Sequence, residues 1–210
     1  MHFQNLSKTI PFLVILTFFG SFSIVIATQA GDESKEKPAS QHDHDAMMEK
    51  FKEFSTPNEN HKVLDPLVGD WDYSIKWWMS PDAAPEESKG TSSIKWIMGG
   101  RFIEQSVEGT SMGQPFEGMG IMGYDNEKKQ YQSIWIDNMG TGVMTGSGSY
   151  DPTTKTLTDQ GTFSCPAEGE KSYRGVLKMI DNDNFTYEWY MPGPDGKEFR
   201  AMEIVYTRKK

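Results

Sequence analysis

The sequence predicts an all-β fold, a single antiparallel up-and-down β-barrel of about ten strands preceded by one or two short helices. Aromatic residues make up 12% of the 210 residues and 20 are glycine, a composition that favours strands joined by tight turns. From Val68 onward, large apolar residues alternate with polar ones, as in half-buried strands. Turn-forming residues recur between these runs without an intervening helical pattern. A meander of that length favours closure into a barrel, because closure leaves no unpaired edge.

The N-terminal segment has the pattern of a secretory signal peptide. Lys8 precedes an uncharged apolar run over residues 10–26, and Ala27 and Ala30 lie in a segment of small residues suited to signal peptidase. The run is shorter than the roughly 20 residues that a spanning helix needs. We predict that residues 1–30 are a signal peptide cleaved near Ala27 or Ala30. The mature protein is then secreted or periplasmic, without stable membrane insertion; an uncleaved anchor is the alternative.

A polar segment follows, and residues 31–56 are predicted to be a flexible acidic linker. Its first half has almost no large apolar side chains that could offset the entropy of ordering. A short helix is expected over Asp45–Phe54, where apolar residues recur at helical spacing and Asp45 is the expected N-cap. A second short helix is expected from Pro57, with Thr56 as its cap.

Residues 57–210 are predicted to form the barrel domain, with its strands between Val68 and Arg208. Every second side chain of a strand lies on the same face of the sheet. The predicted inner face includes Trp71, Tyr73, Ile75, Trp77 and Met79, then Ile94, Trp96 and Met98, and later Phe185, Tyr187, Trp189 and Met191. Gly99-Gly100 suits a two-residue hairpin loop between two of these strands.

The two ends of the barrel sequence resemble those of the calycins, the lipocalins and fatty-acid-binding proteins. Gly69-Asp70-Trp71 opens the first strand and Arg208 lies in the last. In calycins the arginine packs on the tryptophan and closes the barrel, and a cation–π contact of this kind contributes about 0.5–2 kcal/mol. The resemblance implies that Trp71 and Arg208 close this barrel in the same way.

A longer series of segments resembles the bacterial family catalogued as domain of unknown function 1579. The resemblance covers roughly residues 57–209 and implies a calycin-like barrel. The name of the family states that its activity is not established, so no catalytic residues follow from it. The segments that carry the resemblance are His61–Leu64, Leu67–Trp71, Gly99–Gln105, Pro115–Gly118, Gly123–Asn126, Trp135–Gly142 and Met202–Arg208.

Charge and cysteine content exclude several functions. The net charge is −9, and the longest basic run is Arg208-Lys209-Lys210, so nucleic acid is not an expected partner and an anionic membrane surface is disfavoured. Cys165 is the one cysteine, which rules out a disulfide within this chain, and we expect it to be buried and inert. The sequence specifies no oligomeric state.

Histidine placement argues against nucleophilic catalysis and haem binding. The four histidines are His2, His42, His44 and His61, and none lies in a predicted strand. A serine or cysteine nucleophile needs a neighbouring base, and haem is most often held by a histidine. We therefore predict no hydrolase triad, no cofactor and no metal. His61 is expected to close one end of the barrel.

Polar residues on the predicted inner face are the candidate site. Asp137 shares a face with Tyr131, Ser133 and Trp135, and Arg101 shares one with Gln105. A charge inside a barrel must pair, meet water or meet a ligand, because isolated burial is too costly. The predicted ligand-binding residues are Arg101, Gln105, Tyr131, Ser133, Trp135, Asp137, Trp96, Tyr187 and Trp189. A carboxylate head of a ligand could be met by Arg101, Arg174 or Arg200.

The leading functional prediction is a non-enzymatic exported barrel that binds a small, mainly apolar, lipid-like ligand inside. Burial of an acyl chain gains about 0.8 kcal/mol per methylene, enough for micromolar affinity. One alternative is an enzyme of isomerase or hydrolase type, with Asp137 as general base and an Arg or Tyr partner. The other is a filled barrel that acts as a structural or interaction module.

Overall fold

Ten antiparallel strands form a closed barrel in the structure, a computed structural model that describes residues 41–165 and 169–210. Each strand pairs with its neighbours in sequence, and the last pairs with the first, which confirms the predicted up-and-down barrel. The predicted signal peptide and the start of the predicted linker lie outside the described residues. The strands are β1 (Gly69–Trp77), β2 (Glu86–Ile97), β3 (Phe102–Ser111), β4 (Gln114–Asp125), β5 (Gln130–Asp137), β6 (Met144–Asp151), β7 (Thr156–Cys165), β8 (Gly169–Met179), β9 (Asn184–Pro192) and β10 (Glu198–Arg208).

Among the described residues two α-helices precede the barrel, α1 (Gln41–Ser55) and α2 (Glu59–Lys62), and a 3-10 turn follows over Asp65–Leu67. Asp45 lies inside α1, because this helix begins four residues earlier than the sequence pattern suggested. No helix in the described part of the chain is long and apolar enough to cross a membrane.

The cap of α2 is Asn58, so the prediction of Thr56 was wrong. The Asn58 side chain accepts a hydrogen bond from the Asn60 amide, and His61 Nδ1 accepts one from the Asn58 amide. Thr56 Oγ1 instead donates to the Lys52 carbonyl at 2.6 Å. The threonine hydroxyl is therefore bonded to the end of α1 and does not start α2.

The predicted alternation of buried and exposed side chains along the strands is largely present in the structure. Trp71 and Tyr73 are buried, while the polar residues between the inward positions of β1 are exposed. The prediction that Met79 and Met98 lie on the inner face was wrong, because both residues lie beyond the ends of their strands and are exposed. Met98 belongs to a loop over residues 98–101, and its φ of 49° is followed by positive φ at Gly99 and Gly100. This loop therefore has four residues where a two-residue turn was predicted.

One end of the barrel, called the closed end below, is sealed by the residues that precede β1. Leu64 and Leu67 pack against Trp71, whose Nε1 donates to the Leu67 carbonyl at 2.9 Å. The Arg208 guanidinium lies 4.1 Å from the centroid of the Trp71 indole. His61 is buried here and meets the ring of Tyr124 edge-on at 5.8 Å. Trp71, Arg208 and His61 thus lie together at this end of the barrel.

At the opposite end, called the open end below, inward-facing apolar residues are only partly buried. They are Trp77, Phe116, Trp135, Met144, Phe163, Met191 and Met202. Cys165 ends β7 on the same face and is also partly exposed, which corrects the prediction of full burial. Within the described ranges no helix covers these side chains, so this end presents an apolar mouth.

Candidate functional site

A carboxylate is buried inside the barrel at Asp159 on β7, which is 5% exposed. Its Oδ2 accepts a hydrogen bond from Tyr173 Oη at 3.1 Å, and no lysine, arginine or histidine among residues 41–165 and 169–210 forms an ion pair with it. Burial raises the pKa of Asp159, and the bond from Tyr173 opposes this only in part. Burial raises the pKa of Tyr173 and of Tyr187 as well. Uncharged acid and phenol groups are therefore favoured in this part of the interior.

Glycines on neighbouring strands make the room that this polar cluster occupies. A side chain at Gly146 would collide with Tyr173 Oη, Asp159 Oδ2 and Ser133 Oγ. A side chain at Gly175 would collide with Asp159 Oδ1 and Tyr187 Oη. The polar cluster therefore consists of Ser133, Asp159, Tyr173 and Tyr187, gathered over two positions that lack side chains.

Trp189 on β9 lies beside this cluster, at the level of Asp159. It is 5% exposed, and its Nε1 is a buried donor with no hydrogen-bond partner among the described residues. Its ring packs against Phe163, Trp77 and Tyr173, with centroids 4.9, 5.6 and 5.6 Å away. A buried tryptophan N–H normally finds an acceptor, and an unmade bond costs about 1–3 kcal/mol. Trp189 therefore offers an unused donor inside an aromatic wall.

Asp159 and Trp189 lie at the same level of the barrel wall. Asp159 is opposite Gly175 on β8, and Gly175 is opposite Trp189 on β9. Adjacent strands are about 4.8 Å apart, so the two backbones are about 10 Å apart, with a residue that has no side chain between them. An acid and an unused donor thus flank one position on the inner wall.

Sequence reasoning missed Asp159 and Tyr173, although it selected Ser133, Tyr187 and Trp189. A signal for Asp159 was present, because Leu157, Asp159, Gly161 and Phe163 alternate on one face of β7. Three of the selected residues thus belong to the polar cluster or to the wall beside it.

Two further predicted residues, Trp135 and Asp137, lie on β5 toward the open end. Trp135 Nε1 donates to Asp137 Oδ2 at 2.8 Å, and Asp137 Oδ1 accepts a hydrogen bond from the Met139 amide at 3.0 Å. Both carboxylate oxygens are thus engaged in holding an inner-face tryptophan and the start of the loop after β5. Asp137 therefore has a structural role at the open end of the barrel.

The remaining predicted residues lie deeper or at the closed end. Gln105 Nε2 donates to Ser92 Oγ at 2.9 Å and to Tyr206 Oη at 3.4 Å, inside the barrel. Tyr131 Oη donates to the Asn60 carbonyl at 2.8 Å, and Trp96 Nε1 donates to Asp65 Oδ1 at 3.0 Å. Tyr131 and Trp96 therefore fasten the helical segment to the barrel, away from the polar cluster.

The prediction that Arg101 faces the interior was wrong. Arg101 is exposed in the loop over residues 98–101, where its Nη1 donates to the Met98 carbonyl at 3.0 Å. The strand alternation does not extend to Arg101, because the loop is longer than predicted and β3 begins only at Phe102.

Arg174 and Arg200 face outward, so neither can meet a ligand inside the barrel. Arg174 pairs with Glu198 and lies 4.1 Å from the centroid of the Tyr190 ring. Arg200 Nη1 lies 2.8 Å from Glu188 Oε1. A cleft of about 480 Å³ on the outer wall contains the first of these ion pairs and is lined by Gln160, Thr162, Ser172, Arg174, Tyr190 and Glu198. Its charged groups are thus already matched to each other.

No metal centre is assembled in the part of the chain that the structure describes. No three histidine, cysteine, aspartate or glutamate side chains there converge to hold an ion. The candidate site is therefore the polar cluster with Trp189, together with the partly exposed apolar residues of the open end.

Comparisons with known proteins bear on the fold. A family model described as "Protein of unknown function (DUF1579)" matches residues 56–208. No curated protein matches the sequence. Among solved structures, Rv2717c from M. tuberculosis is similar, with 15% sequence identity, a TM-score of 0.56, and coverage of 74% of this chain and 100% of that one.

Two engineered barrels are also similar to this chain. A de novo designed fluorescence-activating β-barrel has 16% identity and a TM-score of 0.40, covering 70% of this chain and 97% of that chain. A redesigned β-barrel has 13% identity and a TM-score of 0.37, covering 70% and 96%. At 15% identity the likeness to Rv2717c concerns the fold alone.

Proposed function

We propose, for a chain that belongs to the DUF1579 family of proteins of unknown function, that the barrel binds a small, mainly apolar ligand through its open end. The ligand lies against the aromatic wall around Trp189 and reaches the polar cluster with its polar end. The export expected from residues 1–30 belongs to the same proposal, and it would place the binding site outside the cytoplasm.

The unpartnered Trp189 Nε1 is the observation that carries the proposal. A barrel filled only for stability gains from the packing of the Trp189 indole, but it gains nothing from an indole N–H that is buried without an acceptor. The cost of about 1–3 kcal/mol is offset only when an acceptor arrives. A bound ligand supplies that acceptor.

The apolar surface of the open end supports the same function. Trp77 and Phe163 flank Trp189 and are partly exposed, in contrast to the buried side chains of the closed end. Covering such surface contributes about 25 cal/mol per Å² of apolar area. An apolar body of the ligand would bury these rings while its polar atom reaches Trp189.

Binding of Nile red, an uncharged apolar dye with a carbonyl group, tests the proposal. We expect saturable fluorescence enhancement with wild-type protein. Trp189→Phe should weaken binding about tenfold, because it removes one hydrogen bond worth about 1.4 kcal/mol while it keeps an aromatic ring. Trp96→Phe is the matched control, an inward tryptophan at the closed end, and should leave the affinity unchanged.

Intact-mass measurement under non-denaturing conditions gives an independent readout on protein purified without dye. A copurified small molecule, displaced by Nile red, would support the proposal. Absence of both dye binding and any copurified molecule would overturn it and leave the filled, structural barrel as the better description.

The enzymatic alternative that the sequence offered finds no supporting contact. Both carboxylate oxygens of Asp137 are engaged in hydrogen bonds. Arg101, an arginine of the kind expected as its partner, is exposed in a loop at the other end of the barrel. A general base needs a carboxylate oxygen that can reach a substrate proton. Ligand binding therefore remains the function that the geometry supports best.

A further inference from the structure

The chemistry of Trp189 and Asp159 restricts what the polar end of a ligand can be. Trp189 Nε1 is a donor and cannot accept a hydrogen bond. Asp159 is a buried carboxyl group that accepts a hydrogen bond from Tyr173, and it has no cationic partner in the described ranges. The two groups lie on the strands on either side of β8, at the same level of the inner wall as Gly175.

Resting on the proposed binding function, we infer that the polar end of the ligand is an uncharged hydroxyl or carbonyl oxygen seated between Trp189 and Asp159. Such an oxygen accepts the hydrogen bond that Trp189 Nε1 leaves unmade. It also shares a hydrogen bond with the Asp159 carboxyl group, which burial favours in its uncharged, donor-bearing form. The ligand is then an alcohol, aldehyde or ketone with a long apolar body.

An ammonium head fits this site less well. It has no lone pair to accept from Trp189, so the buried donor would stay unmatched. It would also need an ionised Asp159, and the desolvation of two buried charges often exceeds their mutual attraction.

A carboxylate head fits less well for a different reason. It could accept from Trp189, but it would bring a second acid beside Asp159, and like charges at close range oppose ionisation of both. None of the three arginines considered for a carboxylate reaches the interior. Lys171 lies on the inward face of β8, four residues closer to the open end than Gly175, and it already takes part in an interaction.

A matched series of probes tests the inference on the wild-type chain at neutral pH. Decanol, methyl octyl ketone, decanoate and decylammonium share a similar apolar chain and differ in the polar end. Each is titrated against bound Nile red. We expect the alcohol and the ketone to compete at least tenfold more strongly than either ion.

Variants locate the effect. Trp189→Phe should weaken decanol about tenfold and leave butylbenzene, which has no oxygen, within about twofold, since one hydrogen bond corresponds to about a tenfold change. Asp159→Asn keeps an uncharged donor and acceptor at the same place, so decanol should retain its affinity. Asp159→Leu should weaken decanol and not butylbenzene.

The outcomes separate this inference from the proposed function. If Nile red and every probe fail to bind, the proposed function itself fails. If the probes bind but decanoate or decylammonium equals decanol, binding stands and the inference of an uncharged oxygen is overturned. Equal loss of decanol and butylbenzene in Trp189→Phe would also overturn it, because packing and not the hydrogen bond would then explain the effect.

Discussion

Tyr173 Oη donates a hydrogen bond to Asp159 Oδ2 at 3.1 Å, and this bond joins β8 to β7 inside the barrel. Because burial raises the pKa of Asp159, the folded state keeps the proton of this carboxyl group to a higher pH than the unfolded chain does. The stability tied to this group is therefore fully present below the unfolded pKa of about 3.9 and is lost as pH rises through the folded pKa.

Asp159→Asn should stabilise the protein relative to wild type at pH 7 and lose this advantage at pH 4. The amide keeps the shape and the acceptor for Tyr173 but has no charge to bury. Urea unfolding of both proteins at the two pH values checks this. An advantage that is equal at both values, or that grows toward low pH, would contradict an elevated pKa at Asp159.

His61 should show the opposite dependence at the closed end. Burial lowers the pKa of His61, and the positive charge of Arg101 lowers it further. Neutral Nδ1 accepts from the Asn58 amide, and a protonated ring cannot. This stability is present above the unfolded pKa of about 6.5 and is lost as pH falls through the folded pKa.

Hydrogen exchange of the Asn58 amide measures this loss directly. Its protection should decrease as pH falls below about 6.5, after correction for intrinsic exchange, while protection of strand amides stays constant. His61→Asn should abolish the pH-dependent change in protection. Unchanged protection in the wild type across this range would contradict the role given to His61.

Arg208 should be the residue at the closed end that tolerates substitution least. Its guanidinium packs on Trp71 and donates to the carbonyls of Val68 and Pro66, both at 2.8 Å. Arg208→Lys keeps the charge but loses the planar, multiple donors, and we expect a loss of about 2 kcal/mol in the free energy of unfolding. Arg200→Lys, which alters an outward ion pair, should cost less than about 1 kcal/mol.

Gly146→Ala should destabilise the barrel by about 1–3 kcal/mol, the range for overpacking a filled interior. The added methyl group would collide with Tyr173 Oη, Asp159 Oδ2 and Ser133 Oγ. Gly142→Ala is the matched control, since nothing lies closer than 3.9 Å to a methyl group there. Equal stability of the two variants in urea unfolding would show that the polar cluster does not depend on the space at Gly146.

The sequence was sufficient for the fold because the fold depends on a local pattern. Aromatic alternation in β1 and β9 identifies the inner face, and Trp71 with Arg208 identifies the seam where the barrel closes. The prediction of the helix cap was wrong because another hydrogen-bond partner competed for the same side chain. Thr56 is a good cap by type, but the carbonyl of Lys52 takes its hydroxyl.

The candidate site was only partly predictable, because it depends on residues from several strands. Asp159 is polar by sequence, and it can be buried only because Gly146 and Gly175, on two other strands, leave room for it. The error at Arg101 arose from a loop that is two residues longer than its Gly-Gly pair suggests. The residue pattern of one strand cannot predict a contact that depends on residues of other strands.

The indole N–H resonance of Trp189 in ¹⁵N-labelled protein tests the central claim most directly. Titration with Nile red should shift this resonance strongly, because the ligand supplies the missing acceptor. The indole resonance of Trp71, already bonded to the Leu67 carbonyl at the closed end, should stay in place. Saturable dye binding with no movement of the Trp189 resonance would contradict a ligand site inside the open end of the barrel.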